Sequence, residues 1–126
     1  MKLRIKGNSL RLRLGPSEVH TLIESGRVEE SIRFAAEANA SLTYALELVP
    51  SGPSPSLLYR PHEITVLLSH EEAEDWSSGD QITISGHIEV GSDRLEILIE
   101  KDFACIDRSA AENEDTYPHP KAGAVC

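Results

Sequence analysis

The segment KLRIKGNSLRLRL, residues 2–14, alternates charged or polar residues with apolar ones on both sides of Gly7-Asn8. Such a period of two is typical of strands with one buried face, and a two-residue turn that begins with glycine favours a β-hairpin. With this turn, Arg4 faces Arg11 and the apolar residues share one face. The other face carries five of the chain's twelve basic residues and no acid: Lys2, Arg4, Lys6, Arg11 and Arg13.

The next part of the chain predicts one helix and two strands. Pro16 suits a first helical turn and Gly26 suits a C-terminal stop, so a helix of about two to three turns is expected between them. Apolar residues at every second position predict strands in RVEESIRF, residues 27–34, and in LTYALELV, residues 42–49. The composition of PSGPSPS, residues 50–56, predicts a linker.

The second half of the chain repeats this plan. EITVLLS, residues 63–69, predicts a strand, and Ser69 with Glu72 predicts a capping box for a second short helix that ends at Gly79. Residues 81–103 predict a hairpin around Gly91-Ser92, in which apolar residues face apolar residues. The two halves therefore look like degenerate copies of one strand-helix-strand unit.

These elements predict an α+β fold, mainly an antiparallel β barrel or a strongly curved sheet with two short helices. Its 126 residues, 40% of them apolar, suit one globular domain. We expect a single β-rich domain over residues 1–104, with the linker between the two repeats, and a polar C-terminal arm over residues 105–126.

The composition also restricts the partners and the compartment. The N-terminus has neither the apolar run of a signal peptide nor a membrane span, so we expect a cytoplasmic protein without a membrane partner. Cys105 and Cys126 are then expected to be thiols, and a disulfide between them would require export. The net charge of −9 disfavours nucleic acid as a partner, because proteins that bind phosphates usually present a basic surface.

Two resemblances follow from short motifs. The opening MKLRIKGNSLRLRL, together with SEV, GRVEE and DFACIDR further along, resembles a family of bacterial proteins with the N-terminal signature MKxRIxGNSxRxRL. That family has no known activity, so the resemblance implies a shared fold and no mechanism. SSGDQITISG, residues 77–86, is similar to the Gly-Asp box of cradle-loop barrels, which include the AbrB-like transcription regulators. In the first repeat, Gly26-Arg27 stands where that box has Gly-Asp.

The basic face of the first hairpin is the main candidate for a binding site. Arg4 opposite Arg11 and Lys2 opposite Arg13 place like charges on neighbouring strands, which is destabilising unless an anion compensates. The arginines would hold a phosphate, a carboxylate ligand or a nucleic-acid backbone by bidentate contacts. The alternative is that a neighbouring strand supplies the compensating acid, and the candidates are Glu29, Glu47, Glu96 and Glu100.

A second candidate site lies in the last residues of the chain. Cys105, His119 and Cys126 offer thiolate and imidazole ligands that zinc or another soft metal prefers, and nearby acids would complete the site. Their wide spacing differs from the close pairs of structural zinc sites. The alternative is that Cys105 ends a buried strand and that the following residues form the surface arm.

The sequence contains no recognisable phosphate loop, catalytic triad motif or pair of catalytic carboxylates. We therefore expect a small non-enzymatic binding or interaction protein without a cofactor, whose ligand or protein partner is unknown and binds at the basic hairpin. An exposed strand edge would allow a homodimer. The alternatives are a metal-binding protein or metal-dependent enzyme that uses Cys105, His119 and Cys126, and an AbrB-like DNA-binding protein.

Overall fold

The computed structural model describes residues 1–104 and 114–118. Strands β1 to β8 span Lys2–Lys6, Ser9–Leu14, Arg27–Arg33, Ser41–Val49, Ser56–Arg60, Glu63–Ser69, Thr83–Val90 and Asp93–Lys101. Helices α1 and α2 span Pro16–Ser25 and His70–Ser78. Neither helix is long and apolar enough to cross a membrane. The α+β class and the two short helices are thus confirmed, whereas β5 directly follows the proline-rich segment and was not expected.

The strands form two four-stranded sheets, in the orders β1-β2-β8-β7 and β3-β4-β6-β5. The outer ladders of each sheet are antiparallel, but the central ladders, β2 with β8 and β4 with β6, are parallel. The expected barrel or strongly curved sheet is not confirmed, and each sheet is mixed. The sheets are mixed because each hairpin pairs in parallel with a hairpin from the other half of the chain. Local sequence patterns do not encode this pairing.

The order of elements repeats along the chain. The sequence strand-strand-helix-strand-strand occurs first in β1 to β4 with α1, and again in β5 to β8 with α2. Each sheet combines the first hairpin of one half with the second hairpin of the other. Lys6 and Ser9 flank the β1–β2 turn, as Arg60 and Glu63 flank the β5–β6 turn, so positions in the two halves can be matched.

The core lies between the inner faces of the two sheets and the two helices. Leu22 of α1 and Trp76 of α2 are fully buried in it. The buried apolar residues of the strands are Leu10, Leu12, Leu14, Leu46, Leu48, Val66, Leu68, Ile84, Ile97 and Ile99. Because alternate strand residues point to opposite faces, the charged residues between them lie on the outer faces of the sheets.

Ser69 is the N-cap of helix α2, as predicted, but the capping differs from the expected box. The Ser69 hydroxyl accepts a hydrogen bond of 3.2 Å from the backbone N–H of Glu72. The reciprocal bond runs through a third residue: the Ser69 N–H donates to the Ser54 hydroxyl at 2.9 Å, and that hydroxyl donates to the Glu72 carboxylate at 2.6 Å. The proline-rich segment before β5 thus helps to fix the start of α2.

Replacing Ser69 with alanine is expected to lower the free energy of unfolding by about 1 kcal/mol, because a backbone N–H at the start of α2 loses its acceptor. Urea denaturation of wild type and variant measures the difference. Ser78→Ala is the matched control, since this exposed hydroxyl donates to the Glu74 carbonyl near the end of the helix and does not cap its start. Equal losses in the two variants would contradict a capping role for Ser69.

The described residues 114–118 pack against the domain. Tyr117 forms a parallel bridge with Phe103, and the two ring centroids are 5.7 Å apart. Asp115 accepts hydrogen bonds from the backbone and the hydroxyl of Ser17 in the first turn of α1. The ring of Tyr117 therefore anchors this part of the chain on the domain.

Candidate anion-binding cleft

The register of the β1–β2 hairpin agrees with the sequence prediction. Lys2 pairs with Arg13, Arg4 with Arg11, and Lys6 with Ser9. Leu10, Leu12 and Leu14 of β2 are buried, so the basic residues between them lie on the outer face of the sheet. The sheet therefore presents all five predicted cations on one surface: Lys2, Arg4, Lys6, Arg11 and Arg13.

Strand β8 brings acids to part of this surface. Glu100 lies beside Arg13 in the parallel ladder, and its two oxygens are each 3.3 Å from an arginine Nε, one from Arg11 and one from Arg13. Asp102, which is buried, lies 2.8 Å from the Nζ of Lys2. Among the four acids that the sequence suggested as partners, Glu100 compensates Arg11 and Arg13. With Asp102 beside Lys2, three of the five cations have an acidic partner.

The remaining two cations line a small cleft. Arg4, Lys6, Ser9, Arg11 and Leu98 surround a volume of about 130 Å³. Within residues 1–104 and 114–118, neither Arg4 nor Lys6 forms an ion pair, and both side chains are exposed. The cleft thus combines three positive charges with only a share of one carboxylate, that of Glu100.

The floor and rim of the cleft were not expected from the sequence. Ser9 donates its hydroxyl hydrogen to the carbonyl of Lys6 at 2.7 Å, which closes the turn side of the cleft. Leu98 lies beside Arg11 in the β2–β8 ladder and supplies an apolar wall. Leu98 could not be assigned from the sequence, because the parallel pairing of β2 with β8 joins segments more than 80 residues apart in the chain.

The outer face of this sheet is divided by charge. Basic residues cover β1 and β2, whereas β7 and β8 carry the acids Glu89, Glu96 and Glu100, together with Arg94, on the same face. His87 pairs with Glu96 in the ladder, and its Nε2 lies 3.6 Å from Glu89. An anion that binds at the cleft therefore meets attraction on one side and repulsion on the other.

The matching surface of the second sheet has a different charge pattern. By register, the five positions around the cleft correspond to Leu58, Arg60, Glu63, Thr65 and Ala45. These residues include one cation and one acid. The same backbone arrangement therefore exists in this protein without a cluster of cations, so the fold itself does not require one.

In the second sheet, carboxylates surround Arg27 of the edge strand β3. Arg27 of β3 lies 2.8 Å from Glu47 and 3.3 Å from both Glu29 and Glu63. Burial acts to lower the pKa of Arg27, but hydrogen bonds to Glu47, Glu29 and Glu63 hold it above its ordinary value. With three carboxylates around it, this guanidinium has little capacity for an external anion.

Lys101 of β8 is a buried cation that the sequence did not single out. Its Nζ donates to the Gly79 carbonyl at 2.9 Å and lies 5.9 Å from the Trp76 ring and 5.6 Å from the Tyr117 ring. Burial lowers the pKa of Lys101, which Asp80 partly offsets. These contacts belong to the packing between α2 and residues 114–118, away from the cleft.

The proposed metal ligands Cys105, His119 and Cys126 lie outside the described residues. In residues 1–104 and 114–118, no group of three or more His, Cys, Asp and Glu side chains is arranged to hold a metal ion. Within the described part of the chain, the basic cleft therefore remains the site with the clearest chemical character.

The fold and the cleft define a class: an α+β domain of two mixed four-stranded sheets with a cationic cleft on one outer face. The chain belongs to a family of unknown function, DUF7009, whose model matches residues 1–121. A search of curated proteins and a search of solved structures found no match. The expectation of a family without an assigned activity agrees with this result, while the N-terminal signature and the likeness to cradle-loop barrels stay predictions.

Proposed function

We propose that this protein is a non-enzymatic binding module whose ligand carries a compact anionic group, a phosphate or a carboxylate. The group is held in the cleft by Arg4, Lys6 and Arg11. The observation that carries the proposal is that Arg4 and Lys6 have no acidic partner within the described residues, although the chain has 21 acids. By contrast, Asp102 compensates Lys2, and Glu100 compensates Arg11 and Arg13.

The cost of the cationic cluster supports a binding role. Arg4 stands directly opposite Arg11, and facing like charges in a sheet cost about 0.2–1 kcal/mol. At the matching position of the other sheet, Leu58 stands opposite Thr65 and this cost is absent. A bound anion would offset the repulsion and accept charge-assisted hydrogen bonds, which are stronger than neutral ones.

The surroundings of the cleft favour a compact group over a long polyanion. Acids on β7 and β8 flank the basic half of the sheet, and the chain carries a net charge of −9. Both would oppose the approach of duplex DNA, whose affinity depends on neutralising many phosphates. Retention on duplex DNA that falls steeply with salt would instead support the AbrB-like alternative.

Titration with inorganic phosphate, followed by backbone amide NMR shifts, tests the proposal. We expect the largest shifts in the β1–β2 hairpin and in the part of β8 around Leu98, and a reduction of binding as salt increases. The β5–β6 hairpin is a control within the same molecule, because it has the same architecture without the cation cluster. Equal shifts in both hairpins, or no shifts in either, would contradict the proposal.

A further inference from the structure

Glu100 already occupies one side of the proposed anion site. Its Oε1 lies 3.3 Å from the Nε of Arg11, and its Oε2 lies 3.3 Å from the Nε of Arg13. The Glu100 side chain is 17% exposed, so the carboxylate is held in a partly desolvated position. An incoming anion must therefore share Arg11 with Glu100 or displace it.

We propose that the cleft binds an organic phosphate monoester and that Glu100 is an intramolecular competitor for Arg11 that limits the affinity. This inference rests on the proposed function, since it specifies the ligand of the same cleft. The three cations outnumber the single carboxylate, so the cleft is positive overall and attracts a dianion about twice as strongly as a monoanion. Glu100 repels the dianion about twice as strongly as it repels a monoanion, so this carboxylate lowers the affinity for the dianion more.

The apolar wall of the cleft specifies the rest of the ligand. Leu98 lines the cleft beside Arg11, opposite the exposed side chains of Arg4 and Lys6. An inorganic phosphate ion makes no use of this surface, whereas the carbon atoms next to the phosphate of an ester would cover it. The combination of three cations, one competing acid and one leucine therefore fits a phosphoryl group attached to an apolar carbon.

A pair of probes that differ by one charge tests this inference. Phenyl phosphate is mostly a dianion at pH 7.5, because phosphate monoesters have a second pKa of about 6. Methyl phenyl phosphate keeps the ring but stays a monoanion. By isothermal titration calorimetry we expect phenyl phosphate to bind at least about tenfold more tightly than the diester, and more tightly than inorganic phosphate.

The variant Glu100→Gln then tests the role of the carboxylate. The amide keeps an acceptor for the arginines but removes the charge, so phenyl phosphate should bind more tightly by about threefold or more, and the gain for the diester should be smaller. Glu89→Gln is the matched control, since it removes one charge from the same face of the sheet at a strand that does not line the cleft. Its preference should equal that of wild type.

Each other outcome has a distinct meaning. If both probes bind wild type equally, anion binding stands and the choice of a phosphate monoester is overturned. If Glu100→Gln and Glu89→Gln change the preference equally, the competitor role of Glu100 is overturned. If neither probe nor inorganic phosphate binds, the proposed function fails, and this inference with it.

Discussion

Replacing Trp76 with alanine is expected to lower the free energy of unfolding by about 3–5 kcal/mol, a large part of the stability of a domain of this size. Trp76 is 0% exposed and is the largest side chain that is fully buried in the core. Its indole N–H also donates to the Ile82 carbonyl at 3.0 Å, which ties α2 to the start of β7. The substitution removes both the packing and this hydrogen bond.

Equilibrium denaturation with urea, followed by circular dichroism, measures this loss. Tyr59→Ala is the matched control, since it also removes an aromatic ring, but from a side chain that is 69% exposed. We expect the control to change stability by less than about 1 kcal/mol. A loss for Trp76→Ala that is no larger than the control would show that α2 does not form part of the core.

The double variant Arg4→Gln with Lys6→Gln is expected to weaken phosphate binding by about 100-fold, since each hydrogen bond to a charged group contributes about 1.5–3 kcal/mol. The same variant should be as stable as wild type, or more stable by up to about 1 kcal/mol, because the repulsion between Arg4 and Arg11 is removed. A loss of phosphate affinity without a loss of stability would indicate that Arg4 and Lys6 serve ligand binding and not folding.

Titration calorimetry and urea denaturation of the same preparations measure the two effects. The control is Arg60→Gln with Arg94→Gln, which removes the same total charge from exposed positions away from the cleft. The control should retain most of the affinity for phosphate. A clear loss of stability in the Arg4 and Lys6 variant, with unchanged affinity, would assign these cations a structural role.

The local patterns of the chain predicted much of its secondary structure. The alternation in residues 2–14 gave the hairpin and its register correctly, including Arg4 opposite Arg11. The second hairpin, in which apolar residues face apolar residues, was also placed correctly. Such pairs are set by a short turn and a period of two, both of which lie within a dozen residues of sequence.

Other features could not be obtained in this way. The short strand β5 follows a proline-rich segment, and its pairing with β6 outweighs that composition. The pairing of β2 with β8 brings Glu100 to Arg11 and Arg13, although nothing near these residues in the sequence identifies that acid among 21. The sequence suggested four acids as partners, and the pairing of β2 with β8 places one of them, Glu100, beside the arginines.

The sequence by itself therefore determined the class of elements, the two hairpins and the set of five cations on one face. The tertiary structure alone decided which of those cations acquire acidic partners and which line a cleft with Leu98. The physical reason is the distance along the chain over which the interactions act. Turns and strand periodicity act between near neighbours, whereas the parallel central ladders join distant segments whose register depends on the packing of the whole core.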